Sequence, residues 1–317
     1  MWFVWSALAW AGSVDTWVGG RASTGVGVDS VSGVSTVLSQ VELDATAEGE
    51  GWRAQLDLDY HFLPVSLSHP DTNGPFEPIP YYPLPPEEAS LTLGSGAPQL
   101  TLGVTNPNLG LQEWDEGDNY LATYTRAWDF SNSQNLGLQP SWNFESGLQL
   151  FAFGGWDMGW YTPGFGLGWA YEGDSYATWS GGFYLPAYEH GMFYWANEFY
   201  PAEALWIAVE PNIGVSGGGL VVGTEAVLNV FPEGTVAGAL RVETQYTTDA
   251  AADWQLVELE TAPMDPLRIT VGGRTDPTDW LHLALDLGTV AVPYGGGDPS
   301  FLGVFLVDIH APFPDEE

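Results

Sequence analysis

The sequence predicts an all-β fold, a transmembrane antiparallel up-and-down β-barrel of roughly 14–18 strands, with about 16 the best estimate. Three observations carry that prediction. Apolar and polar residues alternate with period two over runs of about ten residues, the length that crosses a bilayer when tilted. Turn signals follow one another quickly, as at Glu48-Gly49-Glu50, Gly94-Ser95-Gly96, Glu172-Gly173-Asp174 and Pro232-Glu233-Gly234. The chain of 317 residues holds 16 Trp, 14 Tyr, 15 Phe, 40 Gly and 23 Pro, which favours strands, interfaces and turns over long helices.

The N-terminus, from Met1 through Trp2, Phe3, Val4 and Trp5, is an apolar run ending on Ala9-Trp10-Ala11. That ending fits the small-residue pattern of a cleaved signal peptide, although the run is short and lacks a basic start. Residues 1–11 are therefore expected to be a signal peptide and 12–317 a single β-barrel domain. The alternative is an N-terminal hydrophobic strand or anchor.

The clearest strand is 52–62. Trp52, Ala54, Leu56, Leu58, Tyr60 and Phe62 alternate with Arg53, Gln55, Asp57, Asp59 and His61, so one face is apolar and the other ionic. Leu281, Leu283, Leu285 and Leu287 alternate with His282, Ala284, Asp286 and Gly288. Val41, Leu43 and Ala45 stand against Glu42, Asp44 and Thr46, and Leu240, Val242 and Tyr246 against Arg241, Glu243 and Gln245. Near the C-terminus Phe305, Val307 and Ile309 oppose Leu306, Asp308 and His310. Candidate strands fall at 14–28, 34–47, 51–63, 88–94, 99–105, 119–130, 135–144, 147–158, 163–172, 175–185, 190–200, 203–211, 218–231, 236–247, 252–262, 265–274, 279–290 and 300–312. Strands of a soluble sandwich alternate too, but usually run about five or six residues.

Between 147 and 200 the alternation weakens and aromatics stand on both faces. Phe151, Phe153, Trp156, Trp160, Tyr161, Phe165, Trp169, Tyr171, Tyr176 and Trp179 are expected to form aromatic girdles. A packed sandwich core or a sugar-stacking platform are the alternatives. Two stretches are loops. Residues 64–86 hold eight prolines, which donate no ladder hydrogen bond. Residues 106–118 are an acidic loop with Glu113, Asp115, Glu116 and Asp118. Either loop is placed to narrow the mouth of a barrel.

The charge is lopsided: 41 acids against six arginines and no lysine, a formal net charge of -35. Nucleic-acid binding is excluded, because neutralising phosphates needs basic patches. Attraction to an anionic leaflet is disfavoured for the same reason. An arginine at mid-bilayer on a lipid face costs about 2–4 kcal/mol, so Arg53, Arg126 and Arg241 belong on a polar lumen. Its expected lining is Glu42, Asp44, Arg53, Asp57, Asp59, His61, Arg126, Arg241, Glu243, His282, Asp286, Asp308 and His310. Such a lining should attract cations.

No enzyme motif stands out. The five histidines (His61, His69, His190, His282, His310) show no metal-ligand spacing, and there is no G-x-S-x-G elbow and no P-loop. With no cysteine there is no disulfide, no thiolate metal site and no Cys nucleophile. Neither a metal nor a cofactor is expected. The acidic loop lacks the ligand order of an EF-hand, and a solvated charge run is its default reading.

The stretch from Ala89 to Gly159 resembles the β-barrel porins of the OmpL-like family. The resemblance is carried by Leu91-Thr92-Leu93, Leu100-Thr101-Leu102-Gly103, Asn106-Pro107-Asn108, Asn119-Tyr120, Tyr124-Thr125-Arg126, Asn135-Leu136-Gly137-Leu138 and Gly154-Gly155-Trp156-Asp157. The chain departs from the family pattern at Val104, where a basic residue is usual, and at the C-terminal Glu317, where an aromatic is. The resemblance implies an outer-membrane barrel with a pore and names no substrate.

Composition, alternation and resemblance together predict a non-enzymatic outer-membrane channel for passive diffusion of small solutes, weakly cation-selective. Its expected partners are membrane lipid, small solutes or cations, and further copies of itself. The rivals are an outer-membrane barrel hydrolase, which a serine beside a histidine on adjacent strands would favour, and a secreted β-sandwich or lectin-like binding protein.

Overall fold

A computed structural model describes residues 14–29, 35–62, 88–106, 109, 111, 134–158, 161–231, 235–248, 267–278, 281–290 and 301–310. Of Asp59, His61, Asp308 and His310 it describes the backbone alone. Residues 1–13, the proline-rich 64–86, Arg126 and the acidic Glu113, Asp115, Glu116 and Asp118 lie outside the described residues.

The strands are β1 (Asp15–Asp29), β2 (Ser35–Gly49), β3 (Trp52–Phe62), β4 (Glu88–Leu93), β5 (Gln99–Thr105), β6 (Asn135–Asn143), β7 (Leu148–Asp157) and β8 (Thr162–Gly173). They continue with β9 (Tyr176–Leu185), β10 (His190–Ala202), β11 (Leu205–Ser216), β12 (Gly219–Val230), β13 (Val236–Thr247), β14 (Arg268–Thr278), β15 (Leu281–Val290) and β16 (Phe301–His310). Each pairs antiparallel with its neighbours in sequence, and β1 closes the ring on β16 with Arg21 opposite His310. One closed sheet excludes the two packed sheets of a sandwich.

The strand count agrees with the predicted 16. Two of the candidate strands, 119–130 and 252–262, lie outside the described residues, and the ring closes with β5 beside β6 and β13 beside β14. The connections 63–87, 106–134, 248–267 and 291–300 all leave one end of the barrel, whereas the other end is closed by short turns such as Glu50-Gly51 and Asp174-Ser175. That asymmetry is the usual one for outer-membrane barrels.

Polarity is inverted relative to a soluble protein. On β12 Glu225, Val227 and Asn229 are buried inside the ring, while Leu220, Val222, Leu228 and Val230 are exposed outside. On β15 His282, Ala284 and Asp286 point inward and Leu285 and Leu287 outward. Successive Cβ atoms alternate across a strand, so closing the sheet sends one set inward and the other outward. Where strands crowd, glycine is required: Gly103 has φ 128°, and a Cβ there would stand 2.1 Å from the Ala89 carbonyl oxygen.

The aromatic stretch divides in two. Trp156, Phe165 and Tyr171 are exposed on the outside, as expected of a girdle, and Tyr161 is exposed at a turn. Trp195 donates its indole N–H to Thr178 Oγ1 (3.1 Å) and Tyr176 its hydroxyl to Asn197 Oδ1 (2.9 Å), so polar tips on that face are satisfied. Phe151, Phe153 and Trp179, however, are not girdle residues. Phe153 is buried inside the ring with Phe151 against it, and Trp179 is paired with the fully buried Ala196. Glycines at 154, 155, 164, 166 and 168 interrupt this stretch, so the apolar periodicity that marks a face is lost.

Candidate functional site: the lumen

The inner wall from β13 round to β3 is ionic. Arg21 on β1 lies opposite Glu42 on β2 and reaches it at 3.8 Å. Asp44 and Asp57 face each other across β2 and β3, half-buried. Oxygens of Glu42, Asp44 and Asp57 all lie within 4.8 Å of one another, a geometry able to hold a cation, although acids on a wetted wall often cluster without one. Arg53 shares this face at the short-turn end and is exposed.

On the far side of the seam, register places Glu210, Glu225, Glu243 and Arg268 side by side on β11 to β14. Arg268 Nη1 reaches Glu243 Oε1 at 3.0 Å, and Arg241 Nε lies 3.8 Å from Glu243 Oε2. Asp286 is buried on the same wall, and His282 pairs with Asp276 nearer the short-turn end. The backbone register carries Asp59 opposite Glu42, His61 opposite Gln40, and Asp308 opposite His282.

Of the residues that sequence placed on the lumen, Glu42, Asp44, Arg53, Asp57, Arg241, Glu243, His282 and Asp286 stand on the inner face with described side chains. Arg21, Arg268, Arg274, Glu210 and Glu225 were missed. The same alternation would have found Glu210, which stands in step with Trp206, Ala208 and Asn212 between the outward Ile207, Val209, Pro211 and Ile213.

The opposite wall, β7 to β12, is apolar in places. On β8 the inward row runs Thr162, Gly164, Gly166, Gly168. A Cβ on Gly166 would stand 2.3 Å from Phe153 Cζ, and one on Gly168 2.4 Å from Phe151 Cζ, so both rings lie flat along the wall. Above this floor sits Leu109, from the connection between β5 and β6. It is buried in one apolar cluster with Phe153, Phe183, Leu185, Met192, Tyr194 and Val221. Leu111 packs on Trp206, Ala208 and Val227, and its backbone N–H donates to Glu210 Oε2 at 2.5 Å. Leu109 and Leu111 therefore stand inside the barrel.

One further polar contact is a serine with a histidine. His190 Nδ1 and Ser216 Oγ lie 2.9 Å apart on β10 and β11, near the long-loop end. Both are fully buried, with the Phe183 ring 5.4 Å from the imidazole, so the hydroxyl presents no open face to a substrate.

No family model matches the sequence, and no curated protein does. Solved structures do match. A loop-deletion mutant of OmpT, an outer membrane protein of Vibrio cholerae, superposes with a TM-score of 0.61 at 9% identity, covering 94% of this chain and 99% of that one. An anion-selective porin from Comamonas acidovorans gives 0.62 at 10% identity, covering 94% and 100%. A mutant of the Rh. blastica porin gives 0.57 at 12% identity, again covering 94% and 100%. At such identities the likeness is one of fold, and the fold is that of an outer-membrane porin barrel; nothing in these comparisons points to the OmpL-like family in particular.

Proposed function

We propose that this chain is a channel of the bacterial outer membrane, passing small solutes by passive diffusion with a weak preference for cations, and that it is not an enzyme. The observation that carries the proposal is the inverted polarity of a closed 16-strand ring. A barrel of that size encloses an aqueous channel, whereas about eight strands would be filled by side chains. The apolar outer face matches lipid, and the ionic inner face matches water. The similarity to porins of known structure supports the same reading.

The preference for cations rests on the wall charges. Glu42, Asp44, Asp57, Glu210, Glu225, Glu243 and Asp286 outnumber Arg21, Arg53, Arg241, Arg268 and Arg274 on the inner face. Fold does not settle this sign, since one similar barrel is an anion-selective porin. The test is a reversal potential in a planar bilayer at low salt. It should favour cations and fade as added salt shortens the Debye length below about 10 Å. Equal permeability of both ions at low salt would refute the selectivity; no current from correctly inserted protein would refute the channel.

A second reading, a barrel hydrolase, has the His190–Ser216 pair in its favour. Its burial argues for an interior polar contact instead. A serine-reactive fluorophosphonate probe tests the point: labelling at Ser216 would favour the hydrolase.

A further inference from the structure

We propose that the lumen wall where β5 and β6 meet β7 holds a subsite for a neutral polyhydroxylated solute of the monosaccharide class, in which Thr101 and Gln139 take its hydroxyls and Phe151 its C–H face. The proposal rests on the channel reading and deepens it by naming a class of solute.

The sector is uncharged. In a chain with 41 acids, β5 (Gln99–Thr105) and β6 (Asn135–Asn143) carry no charged residue. Their inward positions include Gln99, Thr101, Gln139 and Ser141, which hydrogen-bond without attracting an ion. Register sets Arg53, Thr92, Thr101 and Gln139 side by side on β3 to β6, so the arginine borders the row at one edge. Glu88, the acid of β4, stands further along that strand and accepts from Ser90 Oγ at 2.6 Å. Thr92, Gln99, Thr101 and Gln139 are half-buried and reach the lumen, whereas Glu210, Glu225, Asn229 and Arg241 on the β11–β13 wall are buried.

The groups have bonding capacity to spare. Thr92 Oγ1 and Thr101 Oγ1 lie 2.8 Å apart, so one hydroxyl donates to the other. The accepting hydroxyl keeps its own proton, and both oxygens keep lone pairs, so the pair can donate to a ligand and accept from it. Gln139 Oε1 meets no donor among the described residues, so turning this amide toward a ligand breaks no bond at that oxygen. An aromatic ring adjoins them. Ser141 lies opposite Phe151, which is half-buried and reaches across the bare Gly168. One row nearer the long-loop end, Gly103, Gly137 and Gly155 stand in register. With no side chain on three adjacent strands the wall recedes there over roughly 10 Å, two interstrand spacings.

A monosaccharide matches this combination. Its rim of hydroxyls both donates and accepts, and the C–H groups of its ring face are apolar and stack on a flat aromatic. A charged solute finds no counter-charge on β5 or β6, and an apolar one would leave the hydroxyls and amides without partners.

The full chain in proteoliposomes tests the subsite, with D-glucose as probe and a polyethylene glycol of similar mass, which donates no hydrogen bond along its length, as comparison. Glucose flux should saturate with concentration while glycol flux rises in proportion to it, and glucose should partly block ion current in a planar bilayer. Thr101→Val, which keeps the shape and removes the hydroxyl, and Phe151→Ala should each raise the half-saturating glucose concentration about three- to tenfold, the factor for one net hydrogen bond or one aromatic contact. Phe151→Leu retains apolar bulk, serves if Phe151→Ala does not insert, and should shift half-saturation in the same direction. Glucose flux that stays linear in a chain that conducts ions, or half-saturation unmoved in both Thr101→Val and Phe151→Leu, would overturn the subsite and leave the channel standing. Equal changes in glucose and glycol flux would mark an altered bore and overturn it as well. A chain that inserts but passes neither ions nor solutes would end the channel reading, and the subsite with it.

Discussion

Replacing Leu285 by arginine puts a guanidinium on the outer face at the middle of β15 (Leu281–Val290). Leu285 is 49% exposed there, opposite Gly273 on β14 and Phe305 on β16, with no acid beside it on that face. If lipid covers this face, an arginine near the bilayer midplane costs about 2–4 kcal/mol, or roughly 30- to several-hundred-fold in the folded-to-unfolded ratio. Gln55→Arg on β3 is the control. Gln55 is half-buried on the ionic inner face opposite Thr46, where the added cation meets water and carboxylates. Folding into lipid vesicles across a urea series, read by the heat-dependent shift of the folded band, should show a clear loss for Leu285→Arg and a change within about 1 kcal/mol for Gln55→Arg. Equal midpoints for the two variants would refute the assignment of the outer face to lipid.

Four further outcomes are expected. Asp44→Asn with Asp57→Asn should lower the cation preference at low salt without abolishing conductance, measured as a smaller reversal potential across a salt gradient. Gly103→Ala should destabilise the barrel by more than about 2 kcal/mol in the same urea series, since a methyl group there meets the Ala89 carbonyl oxygen at 2.1 Å and φ is 128°. The exported protein should begin at Gly12, and Edman sequencing that recovers Met1 would overturn the signal-peptide proposal. Ser216 should stay unlabelled by a fluorophosphonate in native membranes, because both it and His190 are fully buried.

The fold was legible because alternation is a local property. Adjacent Cβ atoms point to opposite sides whatever the rest of the chain does, so Leu56 and Leu285 announce the outer face and Asp57 and Asp286 the inner one. Turn residues then delimit the strands. That logic fails where side chains say nothing about facing. On β8 the inward positions Gly164, Gly166 and Gly168 carry no side chain, and the aromatics of β7 and β9 could be read onto either face.

Alternation, turn chemistry and composition by themselves determined a single closed all-β chain with an apolar outside and an acidic inside. Only the tertiary structure decided which of those residues meet. Glu210, Glu225, Glu243 and Arg268 come from four strands and share a row only through the registers of three pairings. His190 and Ser216 stand 26 positions apart and touch only because β10 and β11 are in register. Leu109 and Leu111 read as an ordinary loop until closure supplies a wall for them to enter. Facing depends on neighbouring bonds along one strand and survives in the sequence; register, closure and the seating of an inward segment depend on distant strands, and no local pattern encodes them.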